Sequence, residues 1–416
     1  MEGKRPEIRF KDYDDEWVSK RFGDAFDFIS NNTLSRDNLN NESGAALNVH
    51  YGDVLIKFGE YLDVQKEQLP FISDEALVSK FQTSLLRDGD VIIADTAEDT
   101  TVGKCTEIVC VDGKKIISGL HTMACRPKEK YTLRFLGYCL NSPKYHKNLL
   151  PLMQGVKVLS ISKSGISDTN IVISENRDEQ GKIANFLAAL DREIKAELLK
   201  CEKLAILKKA MLKKMFPVGE RKVPEIRFDG YTDDWEQRKV SELTKELTEY
   251  ATMESGLPLL TSARSGIMYQ SEYRGNTTTE SSDTLFSVVP ISACTYRHMS
   301  DDDTFHLNIN NLEKGLVSRE YPVFIASGDN DLNFLVQHIN SSNRFLSFCK
   351  QQKKGGTRTR LYYKVLCDFE LMVPKPEEQR EISVYFTQLD NLITLHQCKL
   401  ERLKNIKSAC IKKMFV

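Results

Sequence analysis

Residues 182–216 and 381–416 hold apolar side chains at alternating four- and three-residue steps, with neither proline nor glycine inside. That spacing predicts two long helices, each with the seam of a coiled coil. The first seam reads Ile183, Leu187, Leu190, Ile194, Glu197, Cys201, Leu204, Lys208, Met211 and Met215. The second reads Ile382, Phe386, Leu389, Ile393, His396, Leu400, Leu403, Lys407, Cys410 and Met414, so both are interrupted by polar residues at the same two places. A helix of about 33 residues rises roughly 50 Å, and its apolar stripe needs a partner of equal length. The other copy is that partner, expected antiparallel. Glu197 and His396 are then expected near the middle, where a polar contact would fix the register. Elsewhere the pattern shortens to strand-like runs between polar loops: DVIIAD at 90–95, EIVCVDG at 107–113, TLFSVVPI at 284–291 and YPVFIAS at 321–327.

The helices belong to a larger repeat. PEIRFKDYDDEW at 6–17 returns as PEIRFDGYTDDW at 224–235, 218 residues later. Leu190-Asp191 lies over Leu389-Asp390, and LKKMF at 212–216 over IKKMF at 411–415. Constant frames thus hold two blocks, roughly 25–180 and 243–380, that share only a coarse pattern. Trp17 and Trp235 are part of the frame and are expected to anchor packing. A linker, PVGERKV, joins Phe216 to the second frame, whereas the chain stops one residue after Phe415. The repeat therefore reads as circular, with its ends expected close together.

Composition narrows the function. The formal net charge is −1, so any basic surface must be local. One local surplus lies in 182–217, with nine Lys or Arg against four Asp or Glu; a solvated flank and a DNA contact both remain open for it. No run approaches about 18 apolar residues and no apolar segment follows the first residues, so neither a membrane span nor a signal peptide is expected and the location reads as cytoplasmic. The ten cysteines form no CxxC pair and read as reduced residues, with Cys201 and Cys410 on the helix stripes. Adjacent prolines, GxxxxGK(S/T) and HExxH are all missing, and the seven histidines show no ligand spacing. Asp112-Gly113-Lys114 could be a fragment of a nuclease site but reads as a hairpin turn. Catalysis and metal binding are therefore not expected.

The doubled frame, PEIRF followed by an aromatic, acids and tryptophan, a variable block and a heptad helix, resembles the type I restriction–modification specificity subunits over essentially the whole chain. Pro374, Glu378 and Gln379 match that family's Pro-x-x-x-Glu-Gln helix start; the first copy keeps Glu179 and Gln180 but has Glu175 in place of proline. The resemblance implies an α+β chain in which two mixed α/β target-recognition domains are separated by an antiparallel two-helix coiled coil in a pseudo-twofold, circular repeat. Its parts would be recognition domains at 1–180 and 218–380 and helices at 181–217 and 381–416. It implies a non-catalytic subunit bound to double-stranded DNA, two methyltransferase subunits and, in a full complex, restriction–translocase subunits. S-adenosylmethionine, ATP and Mg would then serve the partners, and this chain would hold no cofactor.

Base reading needs forked donors and acceptors. The sharpest cluster is Lys353, Lys354, Gly355, Gly356, Thr357, Arg358, Thr359 and Arg360, where the family usually has a glycine-rich polar loop. Gln154, Gly155, Val156, Lys157 and Val158, with Ser162, Lys163, Ser164 and Gly165, stand at the equivalent place in the first block. Arg264 in TSARSG and Tyr296, Arg297 and His298 in ACTYRH complete the candidates. A stand-alone regulator would need a compact helix-turn-helix, which is not evident, and a coiled-coil scaffold would leave both large blocks without a role.

Overall fold

The computed structural model of the chain describes residues 5–219, 221–274, 283–353 and 357–416. They divide into two compact units, 1–198 with 397–416, and 199–396. The two long helices are Arg177–Lys214 and Pro376–Met414, and each begins in one unit and ends in the other.

In the first unit a five-stranded sheet runs in the order Phe26–Ile29, Thr122–Pro127, Val91–Ala94, Cys105–Val109, Tyr61–Asp63, antiparallel except at the last pair. Val91 to Ala94 are buried on both faces, which is why DVIIAD is continuously apolar and does not alternate. A second sheet runs Ile116–Ser118, Ala46–Val49, Phe71–Ile72, Leu39–Asn40. In the second unit a four-stranded sheet orders Thr244–Glu246, Val323–Ala326, Cys294–Thr295 and Asn308–Ile309, beside a three-stranded one of Tyr250–Ala251, Phe286–Val289 and Gly315–Ser318. All four strand-like runs contain strands. The VDGKK turn is a correction. Cys110 and Asp112 take positive φ beside Gly113, so the chain does turn, but Cys105–Val109 and Ile116–Ser118 pair with different sheets and form no hairpin.

The repeated Arg, Glu and Gln residues make the same bonds in each unit. Arg9 forks onto Glu179 at 2.6 and 3.0 Å, and Arg227 onto Glu378 at 2.7 Å through both nitrogens. The carboxylates are almost fully buried, so each is compensated by a two-pronged charged hydrogen bond. Gln180 accepts from the Thr132 amide at 2.8 Å, as Gln379 does from Asp331 at 3.0 Å. The Glu-Gln pair of the family pattern thus ties each helix start to its frame and its block. The first helix starts one turn earlier than the heptads predict, because Asn176 caps it, accepting from the amides of Asp178 and Glu179 at 2.9 and 3.2 Å. The second also starts more than a turn before 381, with Pro376 as its first helical residue.

Each core is completed by the end of a helix that began in the other unit. Trp17, 1% exposed, lies 6.1 Å from Phe135 and 6.0 Å from Phe415. Trp235, 2% exposed, lies 6.4 Å from Phe216 and 5.7 Å from Phe334. Both tryptophans are packing anchors. The Ile8 amide donates to the Lys413 carbonyl at 3.0 Å, and Ile226 to Lys214 at 2.9 Å, so the first frame meets the last helix as the second frame meets the first.

Within each unit the helices pair antiparallel. In the first, Glu197 meets Lys399 at 2.9 Å and Asp191 meets Lys407 at 2.6 Å, stepping back on one helix as the other advances. In the second, Lys208 meets Asp390 at 2.5 Å and Phe216 stacks on Phe386 at 5.8 Å. Every seam position is buried or half-buried. The lysines that interrupt the heptads therefore face the aspartates of the repeated Leu-Asp pairs. Burial pulls the Lys407 pKa down, but Glu60 at 2.7 Å and Asp191 together hold it above the usual lysine value. The buried Glu197 pairs with Lys399.

Removing the Phe415 ring is expected to destabilise the first unit by about 3–5 kcal/mol and to admit water to Trp17. In a Trp235→Phe background, whose only tryptophan is Trp17, Phe415→Ala should red-shift the emission; an unshifted spectrum would contradict the packing described. His338 is buried and stacks on Phe216 at 4.6 Å. Burial lowers its pKa to about 3. The folded form therefore stays neutral while the unfolded chain takes a proton below about pH 6.5, so stability is complete above that pH and is lost as pH falls toward 3. The loss is about 2 kcal/mol at pH 5. Denaturant midpoints at pH 7 and pH 5 should differ by less in His338→Leu than in the natural chain.

Candidate nucleic-acid interface

Five of the basic candidates of the second unit come together although they are far apart in sequence. Arg264 and Ser265 form the tip of a hairpin between Leu260–Ala263 and Gly266–Tyr269. Gly266 has φ +123°, a conformation that favours glycine and permits the tight reversal. Arg297 follows the strand Cys294–Thr295. Thr359 and Arg360 return beside this segment because Met299–Ser300 pairs with Thr359–Arg360. Arg264, Arg297, Ser300, Asp301, Ser262 and His306 line a cleft of about 330 Å³.

Three consecutive aspartates, Asp301 in the cleft lining and Asp302 and Asp303 after it, pair with basic residues here, which composition did not reveal. Asp301 accepts from Arg358 Nε at 2.7 Å, and Asp302 pairs with Arg264. Asp303 pairs with Lys353 at 3.5 Å and accepts from the Thr359 hydroxyl. Asp302 is the best anchored of the three. Its Oδ1 also accepts from the Ser300 hydroxyl at 2.8 Å, from the Thr304 hydroxyl at 2.6 Å and from the Thr304 amide at 3.3 Å. These hydrogen bonds, those from Thr304 and Ser300 foremost, hold its pKa well below the usual carboxylate range. By contrast, Arg297 and Arg360 are exposed, with no ion pair among the described residues.

Two of the candidates in ACTYRH are corrected. Tyr296 is 0% exposed, its ring 6.5 Å from both Phe305 and Phe324, and His298 is 3% exposed, stacked on Tyr362 at 5.4 Å. From Ala293 to His298 every side chain except that of Arg297 is buried. Lys354, Gly355 and Gly356 lie outside the described residues; Thr357 is exposed.

The first unit repeats the construction with other residues. Leu159–Ser160 pairs with Thr96–Ala97, and Gln154 and Ser160 exchange backbone bonds at 3.0 and 2.8 Å, which makes 155–159 a closed loop. A Cβ on Gly155, φ +122°, would lie 1.9 Å from the Val158 carbonyl oxygen, so glycine is required there. Lys157 is exposed on that loop, and Lys163 lies over the Phe28 ring at 5.7 Å. Beside it the structure adds residues that sequence reasoning passed over. His121, at positive φ, lies 3.4 Å from both Asp95 and Thr96 and 5.3 Å from the Tyr51 ring. A shared signal was available. Asp99-Thr100-Thr101 and Asp302-Asp303-Thr304 both make an Asp-to-Thr turn after the strand that pairs with the glycine loop. No cluster of three metal-ligating side chains exists among the described residues, and no helix there is long and apolar enough to cross a membrane. All ten cysteines are free thiols, five of them buried.

With this geometry in place, the comparisons with known proteins can be set beside it. The family model described as type I restriction modification DNA specificity domain matches residues 14–203 and 308–405. The fold is similar to the crystal structure of a type I restriction–modification system S subunit from M. genitalium, with TM-score 0.63 and 12% identity over 99% of both chains. An HsdS subunit from Thermoanaerobacter tengcongensis matches at TM-score 0.44 and 14% identity over 96% of both chains. A chain from a structure on complex assembly and conformational transition of the type I R-M system matches at 0.48 and 15% identity, over 96% of this chain and 97% of that one. No curated protein matches.

An exposed arginine without a carboxylate partner is placed to meet a phosphate. Arg360→Ala should therefore reduce the slope of log affinity against log salt for duplex DNA by about one. Tyr296→Phe should leave that slope unchanged, and a change there would restore Tyr296 to the contact surface.

Proposed function

The chain belongs to the type I restriction–modification DNA specificity family and serves DNA recognition in such a system, and from that premise we propose that it reads a bipartite target with one half-site per recognition domain. The two domains are those expected at 1–180 and 218–380. Because the two blocks differ, with Arg264, Arg297 and Arg358 exposed in one and Lys157, Lys163 and His121 in the other, the half-sites differ and the site is asymmetric. The chain itself performs no chemistry. It directs methyltransferase subunits, two in number, and, where present, restriction subunits to that site.

The observation that carries this reading is the helix pair. Both helices run unbroken from one unit into the other, and each unit has the antiparallel register fixed by the same lysine–aspartate pair. A helix of this kind is stiff, whereas a flexible linker would let the half-sites take any spacing. It therefore acts as a ruler. Arginines already paired with Asp301 and Asp302 contribute little net positive field, so the subunit alone grips DNA weakly and partner subunits supply the remainder. A stand-alone regulator would not need them.

Seven residues add about 10.5 Å to a helix, close to three base pairs at 3.4 Å each. Matched heptad insertions in both long helices should therefore lengthen the spacer of the methylated site by about three base pairs while leaving both half-sites unchanged. Methylome sequencing of cells carrying the altered system reads this directly. An unaltered spacer would refute the ruler.

A further inference from the structure

Arg264 and Arg297 line one cleft but differ in electrical surroundings, and we propose from that difference that they read different parts of DNA: Arg264, positioned by Asp302, reads the edge of a guanine, and Arg297 holds a phosphate. The inference rests on the DNA-recognition reading above and deepens it to the level of a single base.

A phosphate brought to Arg264 also meets Asp302, its ion-pair partner, and like charges a few ångströms apart repel. A guanine edge carries no charge and presents two acceptors, O6 and N7, that suit an arginine fork. Asp302 occupies only one guanidinium nitrogen, Nη2, so other donors remain for a base. The carboxylate is itself immobilised through Ser300 and Thr304, and the arginine springs from a two-residue hairpin tip. The donors are therefore aimed before DNA arrives, and less side-chain freedom is lost on binding. Arg297, exposed and without an ion pair among the described residues, has the opposite character: full charge and no fixed direction. Its natural partner is a phosphate.

The carboxylate permits a selective test. Its Oδ2 takes Arg264 and its Oδ1 takes Ser300 and Thr304. Asp302→Asn thus keeps the turn through Oδ1 and loses the acceptor for the arginine. Asp302 is a positioning residue, and its variant should weaken base discrimination without weakening DNA binding in general.

The complex of the full chain with its methyltransferase partners is measured on its methylated site and on duplexes in which each guanine of the half-sites is replaced in turn by 7-deazaguanine, which lacks N7. In the natural complex one guanine should matter to Arg264. Arg264→Ala should abolish roughly 10- to 100-fold of discrimination at that position alone. Asp302→Asn should lower it at least 5-fold while non-specific affinity stays level or rises. Arg297→Ala should weaken all duplexes alike and reduce the salt slope by about 0.9. A uniform loss with Arg264→Ala, or undiminished discrimination with Asp302→Asn, overturns the proposal. If the natural complex has no sequence preference at all, the DNA-recognition reading itself fails, a result distinct from either.

Discussion

Neither recognition block closes its own core. The pocket around Trp17 is filled by Phe415, from the end of a helix that starts in the other unit, and the pocket around Trp235 by Phe216, from the end of the reciprocal helix. Burying a phenylalanine is worth about 2–3 kcal/mol, and leaving its hole costs more. A helix that slipped by one turn would withdraw its phenylalanine from the far core and separate Lys208 from Asp390 or Lys407 from Asp191. Register, core closure and ion pairing therefore stand or fall together. The two interruptions of the heptads are part of this lock: an all-leucine seam would tolerate several alignments, and a charge that must meet its opposite tolerates one.

The same constraint explains what repeats and what does not. Residues that bond the helix starts and ends, Arg9 and Arg227, Glu179 and Glu378, Trp17 and Trp235, occur twice because the same joint is built twice. The blocks between them need only present a docking surface for that joint and can vary in everything else. His338, on Phe216, is an example of local freedom, since burial holds it neutral and costs stability only in acid.

Much of this was legible in the sequence because the frame repeats and the heptads have a period. The helices, their antiparallel pairing, the anchoring tryptophans and the strand-bearing runs follow from those two signals. Both helices start about a turn before the heptads do, because Asn176 caps the first and Pro376 opens the second in place of a heptad residue. VDGKK was legible as a turn and illegible as a link between two sheets, since turn chemistry is local and strand partners are not. Around the cleft, the basic residues can be found by type, but the burial of Tyr296 between Phe305 and Phe324 cannot, because Thr295 before it is buried as well and the segment shows no alternation. Asp301 to Asp303 were invisible for another reason: an acidic run beside basic loops reads as a solvated tail until pairing shows that it organises them.

A formal net charge of −1 gives a DNA-recognition chain little general attraction for DNA, and the ion pairs around the cleft act in the same direction. Lysines and arginines spread over a surface attract any DNA, and most of that attraction is lost to salt and carries no sequence information. Pairing Arg358 with Asp301 and Arg264 with Asp302 gives up attraction in exchange for fixed donors, which favours discrimination over affinity. Such an exchange suits a subunit whose partners can supply non-specific grip, because tight binding everywhere would only bury the preferred site among its competitors. Low net charge and paired arginines then work toward one arrangement, in which the readers are aimed first and held to DNA by others.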